Sequence, residues 1–447
     1  MRPSNYLRGT INRYNIKKVI MNFLFIYIIL MLIYTFSIIG VQFIPSSLIK
    51  DNLVSSSLVL KSEGDYPIYG WNEYHRLDLF TDAIIMDIAY TANPQDPVSS
   101  GMLNYLHNFN GHLPTDAFYI AINEPSNEIG VWSYSRYWHG HQTLVRPLLI
   151  FTDYIGIRVI NIIFMASLLL ILSFLLWRSI SLAYSICIVL SFFMINGFIL
   201  PFCIQYCACF NVAMIGMIAL LLYPNKVNTL LKAGLFFFVI GSICNFFDLL
   251  TIPLITLGLP FIVYFSKQKP KHPIKVLLIM GFCWSVGYSL TFVSKWTIAT
   301  ALTGEDCFSN AIEQVKYRVS SSNDNLNFSL LYAVKEIIHC FLYSLNKWFG
   351  LGFSLGLIVI HTIFFFFRKK EYKKIFLEYY WLLIVAALVP VWYIFVRNHS
   401  FVHMRIFTWR ALFLAYYSIL LFTYFVVSKT SSVWKVNKWR VRLKKKV

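Results

Sequence analysis

Ten long apolar runs can be drawn along the chain: 20–42, 156–177, 179–200, 203–222, 231–247, 249–266, 275–299, 350–367, 379–396 and 406–427. Each is near the roughly 20 apolar residues that a hydrocarbon core of about 30 Å requires. The pattern predicts an all-α polytopic membrane protein with about ten transmembrane helices. The first run is too long for a cleaved signal peptide, and residues 39–42 make a poor cleavage site. A further stretch, 328–347, repeats apolar residues at helical spacing through Phe328, Leu331, Val334, Ile338, Phe341, Leu342 and Leu345. Lys335, Glu336, His339 and Lys347 interrupt it. It reads as an amphipathic helix lying on the membrane surface and not as an eleventh span.

The polar stretches between the runs fall into two alternating sets. The two termini and every second connection hold 25 of the 39 basic residues and two acids, Glu371 and Glu378. The other set holds 14 basic residues and 18 acids. Basic loops stay in the cytoplasm, so the first set is inside and the carboxylates face outward. This divides the chain into a basic cytoplasmic head 1–19, a transmembrane core 20–299 with a large outer loop 43–155, and a second outer loop 300–349. The last transmembrane helices follow in 350–427, then a basic cytoplasmic tail 428–447. An outer loop of that length, rich in Tyr, Trp, His, Asp and Asn, favours folded structure over a linker.

Composition narrows the class. The chain is 58 % hydrophobic and 13 % charged, whereas a soluble domain carries about a quarter charged residues. A net charge of +19 would suit nucleic acid, but no basic helix interleaved with stacking aromatics accompanies it, and no nucleic-acid partner is expected. The basic residues read as topogenic flanks, with the head and the tail resting on anionic membrane lipid. Most of the eight cysteines lie in apolar runs and read as small core residues. Cys203, Cys207 and Cys209 have no His or acid at zinc-site spacing. Cys307 and Cys340, in an outer connection, leave a disulfide open.

Five outer clusters carry candidate chemistry. The first spans 73–87. Asp78 and Asp82 are four apart and would share a helix face, and paired carboxylates near apolar surface suit a general base. The competing reading makes Thr81 an N-cap with Asp82 in the first turn. The second, 134–147, interleaves Tyr137, Trp138, His139, His141, Gln142 and Arg146, a plausible sugar or phosphate surface or an interfacial belt. The third is Asp248, in a turn between two apolar runs, where an acid is costly unless paired. The fourth is Lys295, an ionisable group near a span end, followed by the polar run that ends at Arg318. The fifth is His399, His403 and Arg405. The two histidines have the i,i+4 spacing of a zinc pair, but no HExxH glutamate accompanies them, so the reading is an anion site with no metal assigned. A divalent metal is not excluded by these residues. Polar groups gather at one end of the spans, as they would in an enzyme working at the membrane surface.

The early acidic outer loop, the basic groups near later outer span ends and the cytoplasmic termini resemble the GT-C class of integral-membrane glycosyltransferases. The segments 78–82, 137–141, 146–149, 294–296 and 399–403 are similar to those of bacterial Gtr-type enzymes, which add a sugar branch to O-antigen or another surface glycan. The resemblance implies a GT-C-like fold in a bacterial inner membrane, with the site on the periplasmic or extracellular side. It implies an inverting transfer of a hexose such as glucose from a polyprenyl-phosphate carrier to a glycan acceptor, without a cofactor. Asp78 or Asp82 would be the base, with Glu63 and Asp65 also open. Lys295, Arg146, His399, His403 and Arg405 would hold the donor phosphate. Tyr137, Trp138, His139, His141, Gln142, Asp248 and Arg318 would meet sugar or acceptor. A flippase and a donor synthase are the expected partners, besides membrane lipid. The competing readings are a Wzy-type polysaccharide polymerase and a lipid-linked-sugar flippase or transporter.

Overall fold

The computed structural model describes residues 16–124, 130–320, 329–343 and 347–444. Most of the basic head and the last three residues of the tail lie outside the described residues. The first helix, α1 (Ile16–Gln42), leads into a unit of α2 (Ser46–Glu63), α3 (Leu79–Thr91), α4 (Pro97–Leu103), β1 (Tyr105–His107), α5 (Pro114–Asn123), β2 (Val131–Ser133) and α6 (Gln142–Leu148). The two strands pair antiparallel, Tyr105 opposite Ser133. The large outer connection is therefore folded, as its composition predicts. Six helices follow: α7 (Tyr154–Ser179), α8 (Leu182–Met194), α9 (Ile204–Leu222), α10 (Leu230–Phe247), α11 (Ile255–Gln268) and α12 (Pro273–Thr303). Two further helices, α13 (Cys307–Val319) and α14 (Leu330–Tyr343), precede α15 (Lys347–Phe367), α16 (Lys369–Phe395), the short α17 (Arg397–Val402) and α18 (Leu412–Lys444).

The chain is an all-α, multi-pass membrane protein. Among the described residues, eight helices are long and apolar enough to cross a bilayer. The runs 179–200 and 249–266 differ from the expected full spans. They form helices of 13 and 14 residues, about 20 Å each at 1.5 Å per residue. The causes are local. Asn196 takes a left-handed conformation (φ 50°) after α8, and Pro201 lies in the 3-10 turn that follows. Before α11, the backbone from Asp248 to Leu254 is irregular.

Helix α14 has the amphipathic character expected of 328–347. Leu331, Val334 and Ile338 are exposed, while Tyr332, Ile337 and Phe341 pack against the core. Its 14 described residues span about 21 Å; Phe328 and Leu345 of the expected stretch lie outside the described residues. Cys307 and Cys340 are free, buried thiols.

Close backbone packing fixes the centre of the bundle. Helices α10 and α12 meet through Gly241 and Gly287. A Cβ on Gly241 would lie 2.3 Å from the Trp284 carbonyl oxygen, and one on Gly287 2.1 Å from that of Phe238. Small residues allow this backbone approach, which dispersion then stabilises. Helix α11 is buried along Ile255–Phe265. By contrast α1, α7 and α15 expose Phe36, Leu170 and Phe366, as lipid-facing helices do.

Candidate functional site

Asp78 and Asp82 are both enclosed. Asp78, and not Thr81, is the N-cap of α3. Its Oδ1 accepts from the Thr81 backbone N–H at 3.2 Å and its Oδ2 from the Thr81 hydroxyl at 2.8 Å. Asp82 reaches a different helix. Its Oδ2 accepts from the Tyr154 hydroxyl at 2.5 Å and from Ile204 N–H at 2.8 Å, and its Oδ1 from Gln205 N–H at 3.0 Å. The Cys203 thiol adds a contact at 3.5 Å. Asp82 therefore caps the positive N-terminus of α9. Burial pushes both carboxyls up, that of Asp78 to about 7.

The cations expected to share one phosphate are tied to separate places. Arg146 donates to the carbonyls of Val41 at 3.0 Å, Ile44 at 2.6 Å and Ala89. Val41 and Ala89 lie in the last turns of α1 and α3, whose last carbonyls lack helical partners, and Ile44 follows α1. Lys295 does the same for α4, donating to the Met102 carbonyl at 2.6 Å beneath the Trp138 ring. Arg405 pairs with Glu73 at 3.0 Å on the exposed surface. Glu63 is held by the Arg158 fork at 2.6 and 2.7 Å.

The second cluster docks on the end of α10. Gly140 N–H donates to the Phe246 carbonyl at 2.8 Å, and a Cβ there would lie 2.4 Å from that oxygen. Only glycine fits this approach. Trp138 donates its indole N–H to the Thr291 carbonyl at 2.7 Å, and Gln142 donates to that of Ile85 at 2.7 Å. His139, at φ 54°, donates to the Tyr134 carbonyl at 3.2 Å. Burial lowers the basicity of both histidines, that of His141 to about 4. Burial thus disfavours the cationic form of both rings.

Parts of the other three clusters converge: Asp248, Arg318, His399 and His403. Between α10 and α11 the irregular residues Asp248–Leu254 are buried. Such backbone survives at membrane depth only inside protein or against a cavity. Asp248 uses one oxygen to accept from the Thr251 backbone N–H at 2.9 Å and from the Thr251 hydroxyl. Its Oδ2 has no protein partner. Leu250 sits at φ 68°, a strained conformation for a branched side chain. Its carbonyl accepts from His399 Nε2 at 2.5 Å. The other ring nitrogen of His399 meets the Arg318 guanidinium, so it must accept there and the Nε2–H tautomer is fixed. Burial, and then Arg318, hold His399 neutral, and burial lowers His403 to about 3. Asn398 ties α17 to α13 by donating to the Tyr317 carbonyl at 2.9 Å.

Several polar atoms here, Asp248 Oδ2, the Asn245 amide, the Tyr288 hydroxyl, Arg318 Nε and His403 Nδ1, are buried and unpartnered by protein. Each such group costs about 1–3 kcal/mol unless water or a ligand serves it. The Tyr137 hydroxyl, raised by burial, feels Arg318, Arg136 and Asp248 together. Beside it opens a cleft of about 160 Å³ with Phe292, Trp296, Val315 and Val319 as walls and Arg136 and Arg318 as polar groups. Cys209, Cys244 and Asp248 place ligand atoms within 4.8 Å of one another. Two thiols and a carboxylate would suit zinc and not magnesium.

Within this convergence lie Asp248, Arg318, His399, His403 and Tyr137. Trp138, His139, His141 and Gln142 support it from behind, and Asp78, Asp82, Arg146, Lys295 and Arg405 are engaged elsewhere. Tyr288, a site residue that sequence reasoning missed, sits in an aromatic stripe with Trp284 and Phe292 that reads as core. No family model, curated protein or solved structure matches the chain.

Proposed function

We propose that the protein is a GT-C-type inverting glycosyltransferase that moves a hexose from a polyprenyl-phosphate carrier to a surface glycan, on the outer side of a bacterial inner membrane. The observation that carries the reading is an apolar cleft lined by Arg136 and Arg318 together with Leu250, from the same turn as Asp248, whose buried Oδ2 has no protein partner. An isoprenoid chain matches the aromatic and aliphatic walls, and its phosphate matches the guanidinium groups. Outside the cell no nucleotide sugar is available, so a lipid carrier is chemically required.

In the mechanism, the acceptor hydroxyl attacks the anomeric carbon while Asp248 Oδ2 takes its proton. The bond from that carbon to the phosphate oxygen breaks on the opposite face, and the configuration inverts. Arg318 and Arg136 stabilise the charge that grows on the departing phosphate. Burial raises the Asp248 carboxyl, which strengthens it as a base once ionised. His399 is a positioning residue: it holds Arg318 on one side and the Leu250 turn on the other. Asp78 and Asp82 keep architectural roles in this scheme. The ten-pass path then counts α8 and α11 as short crossings.

The test is transfer from synthetic polyprenyl-phosphate glucose by purified protein, with mass spectrometry of surface glycan from cells with and without the gene. A glycan unchanged by deletion, together with no transfer from any polyprenyl-phosphate hexose, would sink the reading.

A further inference from the structure

At the opposite end of the bundle, on the side of the basic connections, a cavity of about 730 Å³ opens between the ends of α7, α8, α11, α12, α16 and α18. Lys267, Lys269 and Lys271 line it, and Glu378 is the acid among its lining residues. That acid is already engaged, by Lys429 at 2.7 Å. Lys267 reaches the Ser179 carbonyl at 3.3 Å, which leaves the lining with an excess of positive charge. A smaller hollow shares Lys271 and Tyr380 and adds His272 and Lys275. The N-termini of α8 and α12 also meet this region, at Ser181 and Pro273, and neither is capped by a side chain. Uncapped helix N-termini present free N–H groups and favour anions.

Topogenic lysines need only be numerous and on the right side. They do not need to converge on a cavity. The rim here also differs from a site for a soluble anion. Leu377 and Leu182, beside the cavity on α16 and α8, are more than half exposed, and Trp381 and Phe425 form part of the wall. Charge at the mouth and apolar surface alongside match an amphiphile in the inner leaflet.

We infer that this cavity binds the phosphate headgroup of an anionic membrane phospholipid, with its acyl chains along α8 and α16. The inference does not depend on the transferase reading, because it concerns the other face and needs no turnover.

The experiment is native mass spectrometry of the full chain in detergent with added phosphatidylglycerol or phosphatidylcholine. The expected result is preferential retention of phosphatidylglycerol, weakened roughly tenfold or more in Lys269→Ala/Lys271→Ala. Lys269→Arg/Lys271→Arg should keep retention, since the charge remains. Lys226→Ala/Lys232→Ala removes the same charge from an inner connection outside the cavity and should leave retention unchanged. Ser181→Trp fills the cavity without altering charge, and should displace the lipid even if the alanine variant fails to insert. Equal loss in both alanine pairs, or unchanged retention in Ser181→Trp, would overturn the site. Displacement by millimolar inorganic phosphate with no preference between the two lipids would overturn the lipid as its occupant.

Discussion

Two buried aspartates at the outer helix ends have opposite surroundings. Asp82 accepts hydrogen bonds from Tyr154, Ile204 and Gln205, and both its oxygens are used. Asp248 accepts from Thr251 on one oxygen and leaves the other bare. Burial raises both carboxyls, so burial does not separate them. The count of partners does. A carboxylate saturated by a helix N-terminus is fixed in place and has no lone pair aimed at a substrate. A buried carboxylate with one oxygen unpartnered by protein, in the turn whose Leu250 lines the cleft, keeps a lone pair that can take a proton.

The largest effect should come from the less satisfied member of the pair. Asp248→Asn keeps size and the Thr251 contact but cannot accept a proton. Transfer should fall by about a hundred- to ten-thousand-fold, as it does when a general base is lost, with the melting temperature close to that of the parent. Near-parental turnover in this variant would erase the distinction drawn here. Asp82→Ala should do the reverse. It strands N–H groups at the start of α9 and the Tyr154 hydroxyl, at a cost of about 3 kcal/mol in stability. Turnover per folded molecule should stay within a few-fold of the parent, measured on the monodisperse fraction after size exclusion.

The cations repeat the contrast. Arg318 has a free Nε at the cleft, and Lys295 is committed to the end of α4. Arg318→Ala should raise the donor KM by roughly tenfold to a hundredfold, the value of a charged hydrogen bond or two. Arg318→Lys should recover little of this, because an ammonium cannot both hold His399 and fork toward a phosphate. Lys295→Met should leave donor affinity unchanged and lower the melting temperature, because the Met102 carbonyl loses its partner. A rise in donor KM for Lys295→Met would return that lysine to the phosphate site.

Much of the fold is written in the apolar runs. Their spacing locates the apolar helices, eight of which among the described residues are long enough to cross a bilayer, and the interrupted periodicity of 328–347 marks the amphipathic helix α14. The shortening of α8 and α11 is signalled by Asn196, Pro201 and Pro253, turn residues inside otherwise continuous apolar stretches. Helix α13 left a weaker trace, because charged residues interrupt its apolar stripe of Ile312, Val315 and Val319. The candidate site was legible only in pieces. Asp248, Arg318 and His399 are far apart in the chain, and periodicity says nothing about which outer ends touch. The spacing of Asp78 and Asp82 looked like shared chemistry. In the fold Asp78 sits at a cap with non-helical backbone, and Asp82 points to α9. Whether a polar side chain is free or engaged depends on partners that are distant in sequence.

Asp78 offers the finest test, since its effect lies in the pH dependence and not in catalysis. Its carboxyl is raised by burial to about 7 in the folded protein, against about 3.9 in an unfolded chain. Between those values the folded state binds more protons than the unfolded one, so stability falls as pH rises. Below about pH 4 both states are protonated and the full stability is present; above about 7 the penalty of a buried charge is complete. The melting temperature of the parent should therefore decline from pH 4 to pH 7. Asp78→Asn still accepts from Thr81 and caps α3, but it does not titrate. Its profile should be flatter across that window, with transfer at pH 7 little changed. A parental slope that survives the substitution would assign the titration to another buried acid, such as Asp65, which burial also raises. A collapse of transfer in Asp78→Asn at unchanged stability would move the base from Asp248 to the N-terminus of α3.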